Sequence, residues 1–266
     1  MNKLLVKARP GKEIASVTPE SAGWGYVGFS AYRLQPGESV SFEDPAREAC
    51  LVVMSGKARV QAGSIDAGEL GARDSVFDDK APDAAYVPNG CKVSATAVTA
   101  CEISIAHAPG FGTYPARIIP SASIRRSVRG EGTNQRFVTD ILPADQPADS
   151  LLVVEVITPS SHSSSYPPHK HDTDNMPVES SLEETYYHRI NPPQGFAFQR
   201  VYTDDRSLDE AIALEDGDTT LVPKGYHPCA ATHGYDLYYL NVMAGPKRAW
   251  KFYNEPAHEW LLKKKA

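Results

Sequence analysis

The run Ala85-Tyr86-Val87-Pro88-Asn89-Gly90-Cys91 returns as Thr220-Leu221-Val222-Pro223-Lys224-Gly225-Tyr226, which restricts the chain to folds built twice. Each copy is an apolar run closed by Pro-x-Gly, where proline fixes φ and glycine permits a tight bend. Carried forward, the same offset sets Cys101-Glu102-Ile103-Ser104-Ile105-Ala106 against Asp236 to Asn241, a strand in each half. Upstream, Pro36-Gly37-Glu38-Ser39-Val40-Ser41 falls near the counterpart of residues around 170. The other β-type runs (Trp24 to Tyr32, Ala49 to Met54, Leu151 to Ile157, Glu184 to Ile190, Phe196 to Tyr202) are separated by Gly, Pro, Asp and Ser clusters. Short strands at this spacing predict an all-β protein of two tandem barrels or sandwiches. Helical signals are few. Ser207 to Ile212, with Ser207 as cap and Glu210 completing a capping box, reads as one or two helical turns. Domains cluster near ~100–150 residues, so the expected division is 1–125 and 126–266, joined near Gly112 to Asp140.

The two halves differ in chemistry. Seven of the eight histidines follow residue 160, and Ser39, Ser41 and Cys91 or Lys92 stand at the first half's counterparts of His169, His171 and His227. The N-terminal barrel is therefore expected to be structural and metal-free. In the second half, His169 and His171 are spaced i, i+2, so on a strand both project from one face. Imidazole with carboxylate makes a ligand set for a divalent transition metal. Glu183 and Glu184 offer the carboxylate, and Pro223-Lys224-Gly225-Tyr226 aims His227 inward. Alternation puts Glu184, Tyr186 and His188 on one face and Glu183, Thr185, Tyr187 and Arg189 on the other; both carry tyrosine, so periodicity does not choose between the glutamates. Three imidazoles and one carboxylate leave coordination positions open, which suits catalysis. Zinc or manganese there would act as a Lewis acid on a carbonyl oxygen. Arg200 is a candidate carboxylate clamp, and Tyr186, Tyr239 and Asn241 are candidates to line the cavity and hold hydroxyls. Lys170 lies between the two histidines and points away from them. The insertion Asp172 to Ser181 reads as a lid or an oligomer contact.

Bulk properties narrow the function classes. Net charge is −6 and the only basic run is Lys263-Lys264-Lys265, read as a solvated tail, so nucleic-acid binding is not expected. An anionic substrate would need local Arg or Lys. Leu4-Leu5-Val6 is too short for a signal-peptide core, and no stretch approaches a membrane span. Cys50, Cys91, Cys101 and Cys229 lack CxxC spacing and read as buried thiols of a reducing compartment, giving a cytoplasmic protein. No G-x-S-x-G elbow, P-loop or GxGxxG supports acyl transfer, phosphoryl transfer or dinucleotide chemistry.

Over nearly its whole length the chain resembles the bacterial 5-deoxy-glucuronate isomerase family of inositol catabolism. The residues that carry this are His169-Lys170-His171-Asp172, Leu182-Glu183-Glu184-Thr185-Tyr186-Tyr187, Gln199-Arg200-Val201-Tyr202, Val222 to Pro228 and Tyr238 to Gly245. The resemblance implies a bicupin related to the uronate ketol-isomerases of pectin breakdown. It implies a divalent metal, zinc first and manganese or iron otherwise, held by His169, His171, Glu184 and His227. Glu184 is preferred because the ligand glutamate of the pectin-pathway relatives is followed at +2 by an aromatic, here Tyr186. His188 departs from the family, where an aromatic is more usual. The implied reaction converts 5-deoxy-D-glucuronate, a small sugar acid, to 5-dehydro-2-deoxy-D-gluconate. Tyr186, His188 and metal-bound hydroxide are the candidates to move the proton, with a hydride shift as another route. A homo-oligomer accords with the related uronate isomerases. The competing readings are the pectin-pathway ketol-isomerase, a cupin dioxygenase using iron or copper, and a non-catalytic sugar-binding cupin.

Overall fold

The computed structural model describes residues 2–262, so the basic tail Lys263-Lys264-Lys265 lies outside the described residues. Each half builds a larger sheet facing a four-stranded one. In the first, the larger sheet runs Arg117–Ile119, Asp83–Val87, Arg47–Ser55, Cys101–Pro109, Gly28–Leu34, Glu13–Val17. Its partner runs Ser39–Phe42, Val93–Ala97, Ala58–Ala62, Ile65–Leu70. In the second half the order is Leu5–Val6, Thr219–Val222, Glu183–Asn191, Asp236–Ala244, Leu152–Thr158, Arg136–Leu142, Arg125–Arg129. Its partner runs Ser163–Ser164, Cys229–Ala231, Ala197–Tyr202, Asp209–Leu214. The repeated Pro-x-Gly runs occupy matching places: Asp83–Val87 pairs with Arg47–Ser55 as Thr219–Val222 pairs with Glu183–Asn191. No helix among the described residues is long and apolar enough to cross a membrane.

Packing explains why the long strands read as nearly continuous apolar runs. One face of each large sheet lines its own barrel, and the other meets the opposite half, as where Phe29 packs on Tyr187 with ring centroids 5.5 Å apart. Strands buried on both faces lose the polar alternation of a half-exposed sheet. The first barrel is filled by aliphatic side chains, among them Leu34, Leu51, Val53, Val60, Val87, Val93, Ile103 and Ile105. Charged groups buried between the halves are ion-paired or hydrogen-bonded. Arg73 donates to both oxygens of Glu155 at 2.7 Å. Glu48, fully buried, accepts from the backbone N–H of Asp149, Ser150 and Leu151 and from the Tyr86 hydroxyl.

Four features depart from expectation. Ser207 to Ile212 is not helical: Asp209–Leu214 is a strand paired antiparallel to Ala197–Tyr202. Asp205 Oδ1 accepts from Ser207 N in the preceding turn, so the apparent helix cap is hairpin-turn chemistry. The counterpart of Ser39–Phe42 is Ser163–Ser164, whereas His169–Lys170 pairs separately with Tyr253–Asn254. Residue 125 is not a clean boundary, because Leu5–Val6 pairs with Thr219–Val222 in the second half's sheet. The stretch read as a junction, Gly112 to Asp140, supplies two strands of that sheet, Arg125–Arg129 and most of Arg136–Leu142. The insertion forms a small hairpin, Asp172–Asn175 with Glu179–Ser181.

Buried histidines away from the cavity set an acid limit on stability. Burial, reinforced by the neighbouring Arg47, lowers the pKa of His107 to about 4, and burial lowers His188 to about 3. Both lie below the ~6.5 of an unfolded imidazole, so only the unfolded chain takes up these protons between pH 6.5 and 4. Stability is therefore unaffected above that window and falls as pH drops through it, by about 1.4 kcal/mol per pH unit per histidine. Urea unfolding at pH 7.5 and 5.0 should show this loss, and His107→Asn should reduce it; a flat profile would contradict the assignment.

Candidate metal centre

The site is assembled from three segments that the turns and sheet register bring together. Gly225 has φ of +90°, and a Cβ there would come within 2.4 Å of the Tyr202 carbonyl oxygen, so the turn before His227 needs glycine. Asp172 Oδ2 accepts from Gly225 N at 2.8 Å, tying the His-Lys-His-Asp segment to that turn. Lys170 points away, as expected, and pairs with Asp172 and Asp204. On Glu183–Asn191 the two glutamates part. Glu183 faces the first half and accepts from the backbone N–H of Gly25, Tyr26 and Val27. Glu184 faces the barrel interior, where Asn241 Nδ2 donates to its Oε1 at 2.5 Å.

His171, Glu184 and His227, all buried, place one donor atom each within 4.8 Å of one another. Their hydrogen bonds define the tautomers. His171 Nδ1 donates to the Leu182 carbonyl and His227 Nδ1 to that of Gly225, at 3.2 and 2.8 Å. Both Nε2 atoms are thereby turned toward Glu184 Oε2, at 3.1 Å from His171 and 3.3 Å from His227. His227 Nε2 is buried and has no hydrogen-bond partner. Burial holds the His227 pKa down to about 3, against the pull of Glu184, so this nitrogen presents a lone pair. For His171 burial acts in the same direction, but the hydrogen bond and charge of Glu184 outweigh it and raise the pKa. The unprotonated His227 Nε2 and the Glu184 oxygen it faces repel unless a cation lies between them. The donor set fits a divalent metal ion.

His169 stands at the edge of this group. Its ring centroid lies 5.0 Å from His227 and 6.3 Å from His171, and it is not among the three donors that converge within 4.8 Å. Phe252 packs on it at 4.7 Å. Burial, with the charges of His171 and Arg136, keeps its pKa down to about 3.

A cavity adjoins the cluster, lined by His169, Glu184, Tyr186, Tyr239 and Asn241 and also by Arg129, Arg136, Val138, Val156, Ser165 and Trp250. Tyr186 Oη lies 3.1 Å from Ser165 Oγ. Burial, with the nearby Glu184 charge, raises the Tyr186 pKa well above that of free tyrosine, so the phenol keeps its proton. Two expected residues are elsewhere. His188 is not in the cavity wall; it stacks behind Tyr186, centroids 5.9 Å apart, with Nε2 3.3 Å from Thr220 Oγ1. Arg200 projects from the exposed face of its strand and is held by Asp209 through Nε and Nη2 at 2.8 and 2.7 Å. Alternation on Ala197–Tyr202 turns Gln199 and Val201 inward and Arg200 outward. Arg200→Ala should therefore leave KM for any acidic substrate within about twofold, as an exposed ion pair is worth only ~0–1 kcal/mol; a larger rise in steady-state kinetics would contradict this placement.

The arginines that do reach the cavity, Arg129 and Arg136, sit on strands supplied by the apparent junction, where sequence reading did not look. The available signal was Arg125-Arg126-Ser127-Val128-Arg129, whose alternation places Arg125 and Arg129 on one face.

Known proteins place this architecture. A protein from Geobacillus kaustophilus named 5-deoxy-glucuronate isomerase is 52% identical over 268 residues, covering 100% of this chain and 97% of its own. The crystal structure of an IolB-like protein from Salmonella typhimurium LT2 superposes with a TM-score of 0.96 at 48% identity, covering 98% of this chain and 99% of that one. Oxalate decarboxylase from Lactobacillus farciminis shares the fold alone, with a TM-score of 0.65 at 14% identity over 96% of this chain and 89% of that one. The fold is thus the all-β bicupin expected. The KduI/IolB family pattern matches residues 4–261, and with full-length relatives near half identity the chain belongs to the KduI/IolB family.

Proposed function

We propose that this chain is a metal-dependent 5-deoxy-glucuronate isomerase of inositol catabolism, acting in the cytoplasm on 5-deoxy-D-glucuronate to form 5-dehydro-2-deoxy-D-gluconate. The observation that carries the reading is a pair of inward-turned imidazole nitrogens, 3.1 and 3.3 Å from one oxygen of Glu184. They lie in a chain 52% identical over its whole length to a protein of that name. His171, Glu184 and His227 would hold the ion, with His169 as fourth ligand and zinc as the metal. When bound, zinc supplies electrostatic stabilisation of negative charge on a carbonyl oxygen, with no change of oxidation state.

The chain's own residues supply position and protons. Asn241 fixes one oxygen of Glu184 and so directs the other at the two imidazoles. Tyr186 holds a proton at Oη, beside Ser165, for an oxygen of the substrate. Tyr239, Val138 and Val156 give the cavity its less polar wall. In the net reaction a proton leaves C2 and one arrives at C1, while the O2 proton passes to O1. The residues ahead of Arg125, apart from the strand at Leu5–Val6, act as a metal-free scaffold behind this site.

Product analysis by NMR with the zinc-loaded protein tests the reading. Conversion of 5-deoxy-glucuronate should exceed that of the pectin-derived 4-deoxy ketouronate by at least about 100-fold in kcat/KM, the ~3 kcal/mol expected of a site built around the missing or present hydroxyl. Equal rates, or preference for the pectin-derived acid, would overturn the assignment.

A further inference from the structure

We propose that Arg136 and Arg129 form the subsite that binds the substrate's carboxylate; the identity of the sugar acid rests on the isomerase reading, but the anion subsite stands on geometry of its own. The two residues are direct cross-strand partners on the antiparallel pair Arg125–Arg129 and Arg136–Leu142, and both line the cavity. Like charges directly opposite on a sheet destabilise it, and among the described residues this pair has only one shared acid to offset it. The acid nearest Arg129 is Asp140, at 3.7 Å, and Asp140 is already engaged by Arg125 at 2.9 Å. Arg136 makes no ion pair among the described residues. Its hydrogen bonds all use Nη1, which donates to the Asn134 carbonyl and to Asn134 Oδ1 at 3.1 Å. Asn134 is itself anchored through Nδ2 to the Tyr166 carbonyl at 3.0 Å.

One edge of the guanidinium is thus fixed and the other, Nε with Nη2, is left without a partner. That edge is the fork which matches two carboxylate oxygens. Trp250 in the same wall lies under Arg129 at 5.6 Å, and its indole N–H is buried and unpaired. Glu184 and His169 line the same cavity. A short acid gripped by Arg136 at one end therefore faces the metal donors His169 and Glu184 across the same cavity, as a uronate with C1 and C6 at opposite termini would.

The test uses zinc-loaded protein, Arg136→Gln, Arg136→Lys and Arg129→Gln, with 5-deoxy-glucuronate and its uncharged methyl ester as substrates. Arg136→Gln should raise KM for the acid by about 10–100-fold, the worth of hydrogen bonds to a charged group, and for the ester by less than about twofold, with kcat and zinc content retained. Arg136→Lys should recover part of the acid's affinity, and Arg129→Gln should give a smaller rise. Equal effects on acid and ester, or an unchanged KM, would overturn the subsite. Direct calorimetry with D-glucuronate and its methyl ester separates this from the function itself. Should the wild type isomerise neither substrate yet bind glucuronate more tightly than its ester, with the preference lost in Arg136→Gln, the subsite stands and the isomerase reading falls. Should turnover occur without any acid preference, the subsite falls alone.

Discussion

Alanine at His227 is expected to abolish zinc binding and to cut kcat/KM by at least about 1,000-fold, the several kcal/mol that a Lewis-acidic ion supplies. The imidazole is fully buried, its Nδ1 is held by the Gly225 carbonyl, and its Nε2 has nothing but the cluster to address. His169 is already proposed as the fourth ligand and His188 is behind Tyr186, so neither is free to take its place. The barrel should survive, because His227 lies outside the strands around the site, which are held by their own sheet pairing. Metal analysis beside far-ultraviolet circular dichroism therefore separates loss of the ion from loss of the fold. A variant that keeps a full equivalent of zinc would remove His227 from the ligand set. His188→Asn serves as the control and should retain the metal.

The largest effect on stability is expected far from the cavity, at Glu155. Its carboxylate binds both terminal nitrogens of Arg73 and accepts from the Tyr238 hydroxyl at 2.9 Å, with the arginine and glutamate side chains 0% and 3% exposed. Arg73 also donates to the carbonyls of Met54 and Lys80, so it cannot swing out to water when its partner is removed. Glu155→Ala leaves a buried, unpaired guanidinium and should cost about 3–5 kcal/mol in denaturant unfolding. Replacing both partners by apolar residues, Arg73→Met with Glu155→Leu, should recover most of the loss, because desolvation dominates the balance. A single-variant loss below about 1 kcal/mol would mean that Arg73 finds other neutralisation. The same reasoning assigns this pair to the joining of the two halves, not to the chemistry.

How much of this was legible beforehand differs from residue to residue. The strand Glu183–Asn191 could be recognised, but not oriented: Tyr186 packs against the cavity and Tyr187 against Phe29 of the first half, so both faces look alike in sequence. Its neighbour Ala197–Tyr202 has one exposed face, and there strict alternation would have placed Arg200 in solvent. Arg136 was hidden for another reason. A segment rich in Arg, Gly and polar residues reads as a connector, and only pairing to Leu152–Thr158 makes it a barrel wall.

Local chemistry in the chain determined the elements and the ingredients: β runs, Pro-x-Gly turns, a duplicated plan, and donor residues confined to the second copy. Those depend on neighbours a few positions apart, where dihedral preference and side-chain alternation operate. Tertiary structure alone decided which glutamate turns inward, which arginines reach the cavity, and that histidines 171 and 227 meet at one oxygen of Glu184. These outcomes depend on register between strands remote in sequence, and a shift of one residue there would turn every side chain to the opposite face.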